Sequence, residues 1–169
     1  NSAMTGHLVL STLHTNDAGT TLPRLIDMGI QPFLVASTIN IVIAQRLVRK
    51  VCSKCSYKTP VNEKISKFIN KELSKELIAK YKLNDAATQF TYGKGCDDCS
   101  KTGYSGRTGI YELLEMGDEI KELIMNNANA TVVQQKAVEL GMLPMIEDGI
   151  LKVLKGETTI DEIIRETQE

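Results

Sequence analysis

The sequence predicts an α/β protein: half of a parallel-sheet domain, a metal-clamped helical insertion, and a helical tail. Three observations predict it. Residues Thr5–Leu13 form a near-continuous apolar run bounded by Gly6, the pattern of a strand inside a parallel sheet. The only four cysteines fall in two Cys-x-x-Cys pairs, Cys52/Cys55 and Cys96/Cys99. From Asp118 onward the chain reads as short capped helices punctuated by Gly141 and Gly156.

Taken in order, Asn1-Ser2-Ala3 before Met4 reads as a vector-derived scar and is set apart from the fold. The Thr5–Leu13 strand then opens the chain on what should be an interior position, so its flanking strands are expected outside this sequence. The strand ends at His14, and Thr15-Asn16-Asp17 make a polar turn in which Asn16 or Asp17 caps the next helix. That helix runs to about Met28, is stopped by Gly29, and buries Leu22, Leu25, Ile26 and Met28. Pro32 opens a second helix. Residues Ile39–Val51 are rich in β-branched side chains, and a helix passing into a strand near Gln45–Val51 is the reading adopted.

Between the cysteine pairs, Glu63–Leu83 reads as one helix, with Ile65, Phe68, Ile69, Leu73, Leu77 and Ile78 at helical spacing. Thr102–Gly106 is a flexible loop and Arg107–Glu115 a strand, ended by Gly117-Asp118. Asp118 is placed as the cap of a helix through Met125. Thr131 with Gln134 and Thr159 with Glu162 read as capping boxes, and Pro144 starts a helix closed by Gly156.

Two thiolates spaced Cys-x-x-Cys reach one small cation from a tight turn, and two such turns supply the four sulfurs of a tetrahedral Zn²⁺ site. A closed four-thiolate site leaves no position for water, so its role is structural. Ser56–Gly95 is longer than the spacer of a compact zinc ribbon, which makes the segment a small subdomain. Disulfides and redox chemistry are the alternatives. Disulfides need an oxidising compartment, and no signal peptide is present; a redox pair normally stands once, at a helix start after a strand. Zinc is favoured over both. Lys50, Lys54, Lys58, Lys94 and Lys101 flank the pairs and would offset thiolate charge.

With 20 basic and 21 acidic residues the net charge is −1, which argues against nucleic acid as a partner. The longest apolar stretch, Phe33–Ala44, is broken by Ser37, Thr38 and Asn40, so no transmembrane segment is expected. A soluble, cytoplasmic protein is the expectation. His14 sits where a strand would hand over to a helix N-terminus, a place that favours anions. It either holds a phosphate or, with Thr15, merely fills the turn; His7 reads as structural. Arg46, Arg49 and Arg107 lie on or beside strands, and ordinary ion pairs are favoured over phosphate contacts. No G-x-x-x-x-G-K-[ST] loop occurs, and no acidic residue ends a preceding strand to hold Mg²⁺.

These residues resemble the C-terminal portion of the assembly ATPases of type II secretion and type IV pili. Thr5-Gly6-His7-Leu8-Val9-Leu10-Ser11-Thr12-Leu13-His14-Thr15-Asn16-Asp17-Ala18 looks like that family's His box. Arg24–Gly29, Ala44–Arg49, the two cysteine pairs, Gly103–Leu114 and Glu147-Asp148-Gly149 match further family motifs. The resemblance implies a partial RecA-like (P-loop NTPase) core from a hexameric motor, located in the cytoplasm at the inner-membrane face. That motor works against an inner-membrane platform protein. It implies residues 4–51 as the end of the ATPase core, 52–101 as the tetracysteine zinc subdomain and 102–169 as a strand plus C-terminal helical subdomain.

By the same resemblance His7 and His14 are the His-box histidines with catalytic roles, and His14 faces the γ-phosphate. Thr15, Arg46 and Arg107 lie on the nucleotide side, and Cys52, Cys55, Cys96 and Cys99 are the zinc ligands. The family's Walker A, Asp box and Walker B precede the His box and are absent here. ATP and Mg²⁺ are therefore expected in the full-length parent only, and this chain alone is expected to be inactive. The alternative is a zinc-stabilised protein-interaction adaptor without nucleotide chemistry.

Overall fold

Polar caps and helix-stopping glycines divide the chain into short elements, and a computed structural model describes residues 2–83, 85 and 87–167. Their order is α1 (Ala18–Asp27), α2 (Pro32–Thr38), β1 (Ile41–Val51), β2 (Ser56–Pro60), α3 (Glu63–Glu72), α4 (Lys75–Lys80), β3 (Gln89–Gly93), β4 (Tyr104–Glu115), α5 (Asp118–Met125), α6 (Ala130–Glu139), α7 (Met145–Leu154) and α8 (Ile160–Thr167). β1 pairs with β4, and β2 pairs with β3. The chain is α/β, with small sheets. Asn1 of the presumed scar lies outside the described residues, and Ser2 and Ala3 sit in a single 3-10 turn, Ser2–Thr5.

Two compact units emerge. One holds the described residues up to Gln45 together with Glu112–Pro144; the other holds Arg46–Tyr111 and the described residues from Met145 on. In the first, α1 packs on α6 and α2 on α5, around Leu22, Val35, Leu114, Ile120, Ile124 and Val133, all at most 1% exposed. Asp17 does cap α1, accepting a hydrogen bond from the Thr20 amide at 2.7 Å. The next α1 amides are also taken: Ala18 N–H donates to Glu112 Oε1 (2.9 Å) and Gly19 N–H to Gln134 Oε1 (3.0 Å). Gly19 is needed there, because a Cβ would meet Gln134 Oε1 at 2.5 Å.

Several expected elements differ. Thr5–Leu13 forms no strand: residues 7–15 carry no regular structure, and Leu8 and Leu10 are 86% and 89% exposed. A strand exists only through its neighbours' hydrogen bonds, and among the described residues none pairs with this segment. Met28, expected to be buried, is exposed beyond the end of α1. After α2 the chain enters β1 at Ile41, four residues earlier than expected, since the β-branched run Ile41-Val42-Ile43 packs on a pleated surface better than in a helix. β4 likewise begins at Tyr104, inside the expected loop. Asp118 is the first residue of α5, and its cap position is Gly117. α6 is capped by Asn129, whose Oδ1 accepts from the Val132 amide (3.0 Å), not by Thr131.

In the second unit, the expected Glu63–Leu83 helix breaks at Leu73-Ser74 into α3 and α4. Asn62 caps α3, accepting from the Ile65 amide (2.9 Å), and Ser74 caps α4. Glu147, 8% exposed, accepts from the Ser74 amide at 3.1 Å and stabilises the break from outside the segment. β2 and β3, an antiparallel pair with Ser56 opposite Gly93 and Pro60 opposite Gln89, flank that helical stretch at positions for which no strand was expected. Phe90 and Leu83 are buried to 1% or less, and Ile65 and Ile69 of α3 are buried as well. α7 packs on α8, and Gly149 permits it: a Cβ there would sit 2.8 Å from Ile163 Cδ1. The neighbouring Asp148 accepts from the Tyr111 amide (2.9 Å) and pairs with Lys152 (2.6 Å).

Candidate metal centre

Two tight turns carry the four cysteines. In the first, the Cys55 amide donates to the Cys52 carbonyl (3.3 Å). In the second, the Cys99 amide donates to the Cys96 carbonyl (3.3 Å), and Lys101 N–H donates to the same oxygen (2.8 Å). The second turn closes through Ser100 and Lys101, both in the left-handed region at φ 50° and 64°. The turns are tied to each other by chain that holds no sulfur: Cys52 N–H donates to Gly103 O (2.9 Å), and Lys94 N–H to Cys55 O (3.0 Å). Gly93 and Gly103 face each other so closely that a Cβ on Gly93 would lie 2.1 Å from Gly103 O. Only two glycines allow that approach.

All four thiols are free, and their sulfurs lie within 4.8 Å of one another. Cys52 Sγ is 3.9 Å from Cys96 Sγ, Cys55 Sγ 3.9 Å from Cys99 Sγ, and Cys96 Sγ 3.7 Å from Cys99 Sγ. A tetrahedron with metal–sulfur bonds of about 2.3 Å has sulfur–sulfur edges of about 3.8 Å. The donor set therefore fits a tetrahedral metal ion, as the two Cys-x-x-Cys pairs led one to expect, and no disulfide is formed.

The site is electrostatically uneven. Hydrogen bonds from the Cys96 amide (3.2 Å) and the Gly103 amide (3.3 Å) pull the Cys99 thiol down to about 6, against a desolvation that works upward. Desolvation pushes the Cys55 thiol up to about 11, assisted by the neighbouring thiols. One sulfur is thus a ready thiolate, and another needs a cation to lose its proton. Segment 46–101 holds 13 of the 20 basic residues and 6 of the 21 acidic ones, a local excess that suits an anionic four-thiolate complex. The individual lysines are partly committed elsewhere: Lys54 pairs with Asp98 (2.5 Å), Lys101 with Asp97 (2.7 Å), and Lys94 lies over the Tyr57 ring.

The other candidate residues are not gathered into a site by any described hydrogen bond or ion pair. His7 is exposed, its Nδ1 3.0 Å from Thr5 Oγ1; His14 is exposed. Thr15 Oγ1 lies 2.8 Å from Thr21 Oγ1. Arg46 donates to the Glu166 carbonyl, and Arg107 is exposed. The helix terminus after His14 differs from the expectation that it is open to an anion, because its amides are engaged by Asp17, Glu112 and Gln134.

Arg49 makes the ion pair expected of it. Its Nε and Nη2 donate to Glu162 Oε2 (2.9 Å) and Oε1 (2.5 Å), while its guanidinium stacks 4.2 Å from the Tyr104 ring centroid. Glu162 is 2% exposed. Desolvation works to raise its carboxyl, but the bonds from Arg49 and the charge of Arg165 outweigh it and hold the carboxyl below its ordinary value. Sequence reasoning saw Glu162 only as half of a capping box. The Glu162 amide does accept that arrangement, donating to Thr159 Oγ1 (3.3 Å), but the side chain turns to Arg49 instead.

The family model described as "Type II/IV secretion system protein" matches residues 1–165. The chain belongs to that family. It is 40% identical over 98% of its length to the type IV pilus assembly ATPase PilB of Myxococcus xanthus. It is 42% identical over 97% to the type IV pilus assembly ATPase TfpB of Acinetobacter baylyi, and 41% identical over 99% to type II secretion system protein E of Xanthomonas campestris pv. campestris. The resemblance to secretion and pilus-assembly ATPases is borne out. The chain covers 28%, 26% and 28% of those three relatives, about a quarter of each. Among the described residues no helix is long and apolar enough to cross a membrane.

Proposed function

We propose that this chain is the metal-bearing C-terminal portion of a motor ATPase that drives type II secretion or type IV pilus assembly. The observation that carries the reading is the match along nearly the whole chain to two relatives named as type IV pilus assembly ATPases and one named as a type II secretion system protein. In this reading residues 4–51 close a RecA-like core, 52–101 form a structural zinc subdomain, and 102–169 supply a strand and the terminal helices. The parent is a hexamer that binds ATP and Mg²⁺ through segments outside this sequence. It works on an inner-membrane platform protein from the cytoplasmic face. His7 and His14 act on the nucleotide there with Thr15, Arg46 and Arg107. Because the first α1 amides are engaged, His14 and Thr15 contribute through their side chains.

Zinc is the metal that a closed four-sulfur tetrahedron suits. When bound, it supplies a crosslink and no reaction, while Gly103 and Cys96 direct their amides onto Cys99 and hold it as the thiolate. The adaptor alternative is not favoured, since the named relatives are ATPases.

Elemental analysis and phosphate release test the two halves of the reading separately. One zinc per chain is expected, with no ATP turnover above that of a His14→Ala variant. Turnover that His14→Ala abolishes would defeat the claim that this portion is inactive alone, and protein that takes up no zinc would defeat the metal assignment.

A further inference from the structure

We propose that α7–α8 and the cysteine cage form one cooperative unit, in which bound metal holds the platform for α8, and Thr158 and Glu162 are positioning residues for Cys52. The proposal rests on the zinc reading above. A helical tail separate from the metal subdomain would leave such contacts unmade. Instead the segment 156–162 touches three of the four strands that lead into or out of the cage.

The first is β1, which delivers Cys52 directly. Thr158 Oγ1 donates to the Arg49 carbonyl (2.8 Å), Arg49 N–H donates to Glu162 Oε2 (3.1 Å), and Val51 N–H donates to the Glu157 carbonyl (2.9 Å). One edge of the β1 backbone, at residues 49 and 51, is thereby held within three residues of the first ligand. The second is β4, which leaves the cage after Gly103. Its Tyr104 hydroxyl lies 2.9 Å from Thr159 Oγ1, while Gly103 bonds the Cys99 sulfur and receives the Cys52 amide. The third is β3, which leads to Cys96. Gly156, at φ +76°, lies so near Thr91 that a Cβ there would be 2.9 Å from its Oγ1.

The docking surface therefore exists only while three strand ends converge, and the four sulfurs are where they converge. Free thiols 3.7–3.9 Å apart supply little cohesion there. A metal ion crosslinks all three strand ends. Coupling of this kind is reciprocal: if metal favours the docked helices, the docked helices favour metal to the same extent.

The test is hydrogen exchange on the full chain, zinc-loaded and after a high-affinity chelator. Amides of α7 and α8 should exchange about tenfold faster without metal, within the usual range of such couplings, while those of α1, α5 and α6 keep their rates. In the reverse direction, Glu162→Gln and Thr158→Val should each weaken zinc about fivefold or more in competition with a chromophoric chelator. Thr158→Val loses a single hydrogen bond and carries the test should Glu162→Gln fail to fold. Zinc uptake followed by unchanged α7–α8 protection on chelation would overturn the coupling and leave the zinc reading standing, as would unchanged zinc affinity in Thr158→Val. No zinc uptake at all would sink the zinc reading itself, and the coupling with it.

Discussion

Replacing Arg49 with Ala should be among the more costly single changes in the second unit. Among the described residues, the substitution leaves Glu162, 2% exposed, with Arg165 (2.9 Å) and the residue-49 amide (3.1 Å) as its side-chain partners. Stranding a fully buried carboxylate costs about 3–5 kcal/mol. The Arg49 side chain is 39% exposed, however, so water screens part of the pair and the figure must be discounted. Losing the stack on Tyr104 adds about 0.5–1 kcal/mol. The balance is about 2–3 kcal/mol at pH 7, measurable by urea unfolding at fixed free zinc.

The sign of the pH dependence follows from Glu162. Its folded carboxyl lies below the ordinary value of 4.5, so its contribution is complete above that pH and is lost as pH falls through the lower folded value. Arg49→Ala should therefore lose most stability at neutral pH and converge on the wild type in acid. Arg49→Lys, which keeps the charge but not the two-pronged geometry, should fall between them. A loss below about 0.5 kcal/mol at pH 7, or an unchanged gap between the proteins down to pH 3, would refute the reasoning.

Three further outcomes are expected. Zinc loading at pH 7.5 should release fewer protons than there are ligand sulfurs, because Cys99, at about 6, is already largely ionised while Cys55, at about 11, is not; a dye-based proton count checks this. Gly93→Ala should destabilise the second unit by about 3 kcal/mol or more, since its Cβ would collide with Gly103 O at 2.1 Å, and chelator competition should show weakened zinc binding. Asp17→Ala, which removes the α1 cap bond to Thr20, should cost about 1 kcal/mol, read as faster amide exchange in α1 with the metal centre unaffected.

Local chemistry was readable in the chain wherever a residue acts on its near neighbours. Asp17 caps α1, Pro32 opens α2, and the helix after Pro144 stops at Leu154, two residues before the left-handed Gly156, as their backbone preferences require. The cysteine cage was legible for a similar reason: two ligands three residues apart fix a turn, and four cysteines with none left over leave little choice of partners. The apolar period through Glu63–Leu83 concealed the break at Ser74, because the periodic residues Ile65, Ile69, Leu73 and Leu77 are buried on both sides of it. Thr131 and Gln134 satisfied a capping-box pattern, yet Gln134 is drawn away to the Gly19 amide, 115 positions earlier. SYKTP and QFTYG are too short and too polar to announce β2 and β3, which form because Ser56–Pro60 and Gln89–Gly93 find each other.

Side-chain identity and spacing were thus enough to establish the kinship, the clustering of the four cysteines and most helix ends, since each depends on groups a few bonds apart. Long-range pairing set everything else. Leu8-Val9-Leu10 has the composition of a strand and, among the described residues, no strand pairs with it, and Glu162 has the spacing of a cap but is claimed by Arg49 from 113 residues away. Composition can favour a hydrogen bond or an ion pair, but which partner arrives is settled only when distant stretches of chain are packed together.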